Sequence, residues 1–93
     1  MQEIADSLKV LADPARLQIL KKLMRSHKDK TVSVNELAAY LNISQPNVSH
    51  HLKVLKMAGF ISCKKNQRFN YYSVEQDKVE ALLREVMAEI APP

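Results

Sequence analysis

The sequence predicts a mostly α-helical fold with one small β-hairpin, and three observations support this prediction. Apolar residues recur at helical spacing in five segments of the chain. Residues that commonly cap helices, Asp13, Ser33 and Ser44, precede three of these segments. The only glycine, Gly59, follows the fourth segment, and two stretches rich in aromatic and β-branched residues come next. We therefore expect five helices, with the hairpin between the fourth and the fifth.

The first two helices are predicted over residues 3–11 and 14–26. Pro14 suits the first position of the second helix, because a missing N–H costs nothing there, and Asp13 supplies the cap. The apolar residues of the second helix that are predicted to face inward are Leu17, Leu20, Leu23 and Met24. A polar loop over residues 26–30 should follow, and Thr31 with Val32 is predicted to add a short strand beside the hairpin.

A helix-turn-helix is predicted over about residues 34–58. Ser33 and Glu36 form a capping box that opens its first helix. A short turn follows, and Ser44 caps the second helix. The apolar stripe of that second helix is formed by Val48, Leu52 and Leu55.

The opposite face of this second helix is polar and carries no acidic residue. Small hydrogen-bonding side chains near a helix N-terminus, followed by a lysine, suit a helix that lies in the major groove of DNA. The predicted DNA-binding residues of the helix are Ser44, Gln45, Asn47, Ser49, His50 and Lys53. Taken alone, the segment is equally compatible with an ordinary solvated surface helix.

The two β-prone stretches predict a hairpin over about residues 60–74, with Asn66 and Gln67 between its strands. Its basic residues Lys64, Lys65 and Arg68 should meet DNA phosphates or the flanking minor groove. A helix-turn-helix followed by a basic hairpin is a winged helix. Residues 1–93 are therefore predicted to form a single winged helix-turn-helix domain that binds double-stranded DNA.

The charge distribution supports a polyanionic partner. The formal net charge is +4, yet residues 37–74 contain five basic side chains and no acidic one. This window coincides with the helix-turn-helix and the hairpin, as expected for a surface that meets nucleic acid. Two alternatives are a non-specific architectural binder and a winged-helix module that binds protein. Gln45, Asn47 and Ser49 favour sequence-specific DNA binding, because they can hydrogen-bond to base edges.

Four motifs point to a known family: LADPARLQIL at residues 11–20, SQPNVSHHLKVL at residues 44–55, Ala58-Gly59-Phe60, and Tyr71-Tyr72-Ser73. Together they resemble the ArsR/SmtB family of winged-helix repressors, over about residues 5–80. One departure is the wing tip, where residues 66–68 replace the usual glycine-containing turn. Asparagine tolerates positive φ, so the hairpin should still form. The resemblance implies a homodimeric repressor of an inverted-repeat operator, acting at a prokaryotic nucleoid.

The last helix is predicted over about residues 75–90, and Ser73 with Gln76 resembles a second capping box. Its apolar stripe is wide, so packing on the protein's own core competes with a dimer interface as the explanation. The family resemblance implies dimerisation through the first and last helices. The predicted interface residues are Ile4, Leu8, Leu11, Val79, Leu82, Leu83, Val86 and Ile90.

No catalytic, cofactor or metal site is predicted, and no glycine-rich phosphate loop or nucleophile–base set is recognisable. Adjacent His50 and His51 point about 100° apart on a helix, so they make a poor metal pair, and His51 is expected to be a satisfied structural histidine. The metal-ligand positions that the family resemblance implies hold no suitable set. In this sequence they are the thiolate-free segment at residues 31–34 and Gln76, Lys78, Glu89 and Pro92.

Cys63 is the single cysteine and the one candidate redox thiol. Lys64 and Lys65 beside it would favour its thiolate, whereas burial as a small apolar residue is the alternative. One cysteine excludes an intrachain disulfide and favours a reducing cytoplasm. No apolar run approaches the ~18 residues of a membrane span, so no membrane partner is expected. The residues identify no inducer.

Overall fold

A computed structural model of the chain describes residues 1–25 and 32–93. Its elements are α1 Gln2–Leu11, α2 Pro14–Arg25, α3 Val34–Leu41, α4 Gln45–Met57, β1 Ile61–Asn66, β2 Phe69–Val74 and α5 Gln76–Ile90. The predicted fold class is confirmed: five helices and an antiparallel two-stranded hairpin form a winged helix-turn-helix. None of the helices in these two described ranges is long and apolar enough to cross a membrane.

The residues between α2 and α3 bear on two predictions. The predicted polar loop and Thr31 lie outside the described residues. Val32 is described, and it is buried in the core and belongs to no strand. The predicted strand beside the wing is therefore wrong at Val32, because its backbone joins no β-ladder; the residue contributes its side chain to the core instead.

Side-chain caps open three helices where the sequence predicts them. The Asp13 carboxylate accepts the backbone N–H of Arg16 at 3.1 Å at the start of α2. The Ser33 hydroxyl accepts the N–H of Glu36 at 3.1 Å at the start of α3, and Ser44 caps α4 in the same way. Each bond satisfies one of the N–H groups that a helix start leaves unpaired.

The fifth helix begins differently from the prediction. Glu75 holds the N-cap position and makes no side-chain cap hydrogen bond. Ser73 lies within β2, where its hydroxyl and that of Ser62 are hydrogen-bonded at 2.9 Å across the hairpin. The predicted capping box is wrong because the strand extends through Val74 and leaves Ser73 on the ladder.

Within residues 1–25 and 32–93, three residues take positive φ, and each lies at a change of chain direction. Asn42 (φ 55°) ends α3 in the left-handed conformation, and Gly59 (φ 84°) follows the end of α4. At the wing tip the residue with positive φ is Gln67 (φ 57°), whereas the sequence favours an asparagine for this conformation. The register explains this difference: Asn66 still pairs with Phe69, so the two turn residues are Gln67 and Arg68.

The core forms where apolar residues of α2, α3, α4 and α5 pack together around the start of the wing. Its fully buried centre includes Ile19, Leu37, Val48 and Leu55. The buried core residues are Ile19, Leu20, Leu23, Val32, Leu37, Val48, Leu52, Leu55, Phe60, Ile61 and Leu82. This packing holds α2, α3, α4 and the base of the wing in one arrangement, which positions the outer face of α4.

Two of the residues predicted to face inward on α2 are instead half exposed. Leu17 and Met24 each retain 51% of their accessible surface. Ile19, Leu20 and Leu23 are buried, so the core-facing stripe is centred on them. Helical spacing places Leu17 and Met24 together at one edge of that stripe, beside Leu20 and away from Ile19.

The α5 helix carries two adjacent apolar stripes with different environments. Val79, Leu82 and Val86 pack against the core, and Leu82 is only 6% exposed. Leu82, predicted to lie in a dimer interface, is a core residue of its own chain, so that assignment is corrected. The second stripe remains exposed and consists of Leu83, Met87 and Ile90.

Candidate nucleic-acid interface

The outer face of α4 is the surface that the helix-turn-helix presents to solvent. Val48, Leu52 and Leu55 fix the opposite face, because all three are buried in the core. The helix begins at a Ser44 cap, where the hydroxyl accepts the N–H of Asn47 at 3.3 Å. Ser44, a predicted DNA contact, is thus already used to start the helix, although its side chain remains exposed.

Hydrogen-bonding side chains project from the first two turns of α4. Gln45, Asn47 and Ser49 are exposed. Among residues 1–25 and 32–93, the side chains of Gln45 and Ser49 have no hydrogen-bond partner, so their polar groups remain available to a ligand. His50 and Lys53 are also exposed on this helix. The structure therefore places all the predicted α4 contacts at its surface.

His51 lies beside this face but has a different environment. Its ring is half-buried and tilted by 55° from that of His50, with the ring centroids 5.9 Å apart. Its buried Nδ1 atom has no hydrogen-bond partner in the described part of the chain. The expectation of a fully satisfied structural histidine is therefore wrong for this nitrogen.

Asp13 and Arg16 form an ion pair at the start of α2, and Asp13 lies close enough to His51 for the two side chains to interact electrostatically. The Arg16 guanidinium lies 3.7 Å from the Asp13 carboxylate. The pKa of Asp13 lies below its usual 3.8, mainly because its carboxylate accepts the Arg16 backbone N–H. Partial burial opposes this shift, and interaction with His51 and the Arg16 charge adds to it. The negative charge of Asp13 is thus offset by Arg16 on its own helix.

The wing carries its basic residues on both faces of the hairpin. Lys64, Lys65 and Arg68 are all exposed. Successive strand residues point to opposite faces, so Lys64 and Lys65 cannot face the same side. Lys65 pairs with Asn70, which lies on the side of the hairpin turned toward α4, whereas Lys64 pairs with Tyr71 on the other side. Of these two predicted contacts, Lys65 is the one on the α4 side.

Cys63 and Tyr72 are cross-strand partners on that same side of the wing. Cys63 is half-buried, so neither full burial nor full exposure describes it. The pKa of Tyr72 is raised by burial and, in addition, by interaction with the Cys63 thiol. No group of three or more potential metal ligands comes together within residues 1–25 and 32–93.

A comparison with protein families decides the classification. Residues 13–62, from the N-cap of α2 into β1, match the model of bacterial regulatory proteins of the arsR family. The chain belongs to the ArsR family. This confirms the resemblance carried by the motifs at residues 11–20 and 44–55.

Individual relatives are similar to this protein over most of the chain. An uncharacterised HTH-type transcriptional regulator of Methanocaldococcus jannaschii is 33% identical over 83 residues, covering 89% of this chain and 90% of its own. The transcriptional repressor SdpR of Bacillus subtilis is 37% identical over 79 residues, covering 81% and 83%. The structure of reduced HlyU from Vibrio cholerae superposes with a TM-score of 0.67 at 30% identity, covering 96% of this chain and 90% of that one.

The structure adds residues that the sequence-based site omits. Lys56 is exposed one turn beyond Lys53, and the same helical spacing that selected Lys53 would have found it. Asn70 faces α4 from the wing, which only the strand register reveals. Met87 on α5 and Met1, just before α1, extend the exposed apolar surface beyond the predicted set.

Proposed function

We propose that this ArsR-family protein is a homodimeric transcriptional repressor that recognises an inverted-repeat operator. The observation that carries the proposal is the outer face of α4. Gln45, Asn47 and Ser49 are exposed in its first two turns, and no acidic residue occurs between residues 37 and 74. Such a helix can enter the major groove and hydrogen-bond to base edges.

The wing supplies the second half of the proposed contact. Lys65 and Arg68 would bind backbone phosphates or the flanking minor groove, with Lys64 contributing from the other face of the hairpin. Phosphate contacts supply affinity and register, while the α4 contacts choose the sequence. The protein would act on the nucleoid in the cytoplasm, without catalysis of its own.

The proposed homodimer is built on the outer stripe of α5. Leu83, Met87 and Ile90 form a continuous exposed stripe, and Met1, which precedes the neighbouring α1, is exposed as well. Large apolar side chains grouped in this way commonly mark an interface. Of the predicted interface residues, Leu83 and Ile90 are exposed, and Ile4, Leu8, Leu11, Val79 and Val86 are partly buried against the core.

A dimer with this interface would relate two α4 helices by a twofold axis. They would enter successive major grooves about one helical turn apart, so the operator would be an imperfect inverted repeat.

Paired substitutions on α4 and the wing test how the DNA sequence is recognised. An operator is first selected from genomic fragments with the purified protein. Gln45→Ala should then cost roughly 1–3 kcal/mol on that operator and little on random duplex, because it removes a base contact. Arg68→Ala should weaken binding to both duplexes. It should also reduce the salt slope by about one for each phosphate that is no longer neutralised, or about two for a symmetric dimer.

Gln76→Ala is the matched control, because Gln76 is the first residue of α5 just as Gln45 is of α4. Equal losses on operator and random DNA for Gln45→Ala would favour a non-specific architectural binder. Absence of any DNA binding would favour a module that binds protein.

A further inference from the structure

A cleft of about 260 Å³ separates the second half of α4 from the wing. The cleft lies next to the residues proposed to contact base edges, but those base contacts do not require a cleft. Apart from one leucine of the core, the cleft is lined by Ser49, Lys53, Lys56, Cys63, Asn70 and Tyr72.

The α4 wall of the cleft is a single helical row. Ser49, Lys53 and Lys56 stand at i, i+4 and i+7, so they lie on one face of the helix. Both lysines are exposed, and neither has a salt-bridge partner within residues 1–25 and 32–93. Two ammonium groups and a hydroxyl therefore line one wall without a neutralising carboxylate.

The wing wall is formed by one face of the hairpin. Cys63 pairs with Tyr72, and Asn70 is two residues from Tyr72 on β2, so all three point to the same side. Asn70 contributes an amide donor, while Tyr72 interacts with the Cys63 thiol. Among the described residues that line the cleft, none is acidic. Cationic and neutral donors on two facing walls, without an acid, fit a phosphate oxyanion.

We propose that this cleft seats a backbone phosphate of the bound DNA, held by Lys53 and Lys56 from α4 and by Asn70 from the wing. The proposal rests on the proposed function and extends it, because it assigns Lys56 and Asn70 to the DNA contact. In the proposed binding mode α4 occupies the major groove and the wing meets the flanking minor groove, so the strand backbone that separates these two grooves would run between α4 and the wing. The cleft lies at this passage.

Charge removal gives the first test. Lys56→Gln should weaken binding to operator and to random duplex by the same factor, roughly tenfold, with the salt slope reduced by about one per protomer. Lys9→Gln removes the same charge from an exposed position on α1 and should change affinity by less than about twofold. Asn70→Ala provides a second variant that leaves the charge unchanged, and it should also weaken binding to both duplexes. Equal effects of Lys56→Gln and Lys9→Gln would overturn the proposal.

A neutral phosphate in the DNA locates the contact. Methylphosphonates are placed one at a time along the selected operator, and each duplex is titrated with wild type and Lys56→Gln. At the phosphate seated in the cleft, the substitution and the methylphosphonate should each cost affinity but together cost little more than one of them. Strict additivity at every position would show that no backbone phosphate occupies the cleft.

Cys63 reports directly on occupancy, because it is the only cysteine and it lines the cleft. Bound duplex should slow its alkylation by iodoacetamide, measured by mass spectrometry, whereas inorganic phosphate at the same phosphate concentration should not. Protection by inorganic phosphate, with DNA affinity insensitive to Lys56→Gln, would identify a free-anion site and refute the DNA assignment.

The two proposals fail in different ways. Loss of DNA selectivity altogether would refute the proposed function. Intact selectivity that Gln45→Ala abolishes, together with unprotected Cys63 in the complex, would refute the phosphate seat alone.

Discussion

Neighbouring leucines on α5 should have separate roles, and truncating each one distinguishes folding from assembly. Leu82 is 6% exposed and packs in the core, whereas Leu83 is 52% exposed on the outer stripe. Because they are adjacent on the same helix, Leu82→Ala and Leu83→Ala change helix propensity equally. Any difference between the two variants therefore comes from where each side chain lies.

The expected magnitudes follow from these exposures. Leu82→Ala removes a buried side chain and leaves a cavity, which costs about 2–5 kcal/mol of the free energy of unfolding. A chain of this length has roughly 5–14 kcal/mol in total, so the loss is a large fraction of its stability. Leu83→Ala forfeits burial of about half a side chain in the dimer, or ~1 kcal/mol per protomer. For two protomers this is ~2 kcal/mol, equivalent to about a thirtyfold weaker dimer.

Urea unfolding followed at two protein concentrations, together with sedimentation equilibrium, separates these effects. Leu82→Ala should lower the unfolding midpoint at both concentrations. Leu83→Ala should raise the dimer dissociation constant, with its loss of stability largest at the concentration where wild type is dimeric. A dimeric, fully stable Leu82→Ala, or a Leu83→Ala variant that dimerises like wild type, would refute the assignment of the two stripes. Wild type that is monomeric at micromolar concentration would refute the dimer itself.

Three further predictions address the turn after α4, the α2 cap and metal response. Gly59→Ala should lower the free energy of unfolding in urea by about 1 kcal/mol, because φ of 84° is unfavourable for alanine. The added Cβ would lie 3.4 Å from Lys78 Cε, which is an ordinary contact, so the backbone alone should cause the loss. An unchanged unfolding midpoint would contradict this explanation. Asp13→Asn keeps a capping side chain but removes the charge. Because the folded pKa of Asp13 is lowered from 3.8, the ionised carboxylate should stabilise the fold above that pH. The difference in unfolding free energy between wild type and Asp13→Asn should therefore vanish as the pH falls through the folded pKa. A difference that grows in acid would contradict this linkage. Stoichiometric zinc should leave the affinity of the protein–DNA complex unchanged, since the family's ligand positions hold no suitable donor set in this chain, and a tenfold loss would redirect attention to the histidines and Cys63.

The predicted site depended on local signals, and those signals were sufficient for much of it. Ser33 and Ser44 were recognisable as caps because a capping hydrogen bond spans only three residues, which the sequence shows directly. Exposure of Gln45 and Ser49 followed from the apolar stripe on the other side of the same helix. Periodicity along one helix thus placed the polar outer face of α4 without knowledge of the rest of the chain.

Local signals were insufficient to predict which apolar residues of a helix pack against the neighbouring elements and which remain exposed. Periodicity marked Leu82 and Leu83 alike as apolar, and only the packing of α5 against the core separated the buried residue from the exposed one. Periodicity likewise predicts that Leu17 faces inward, whereas the residue is half exposed. A stripe's centre is set by the neighbouring elements that it packs against, which one helix does not encode.

The sequence of this ArsR-family protein was enough to predict five helices, the hairpin and the polar face of α4, because caps, turns and apolar spacing act within a few residues along the chain. The tertiary structure alone decided that Asn70 faces Lys56 across a cleft and that Lys65, and not Lys64, lies on the side of the wing turned toward α4. Those relations depend on strand register and on how the hairpin packs against α4. They join residues far apart in the chain, whose proximity no local pattern specifies.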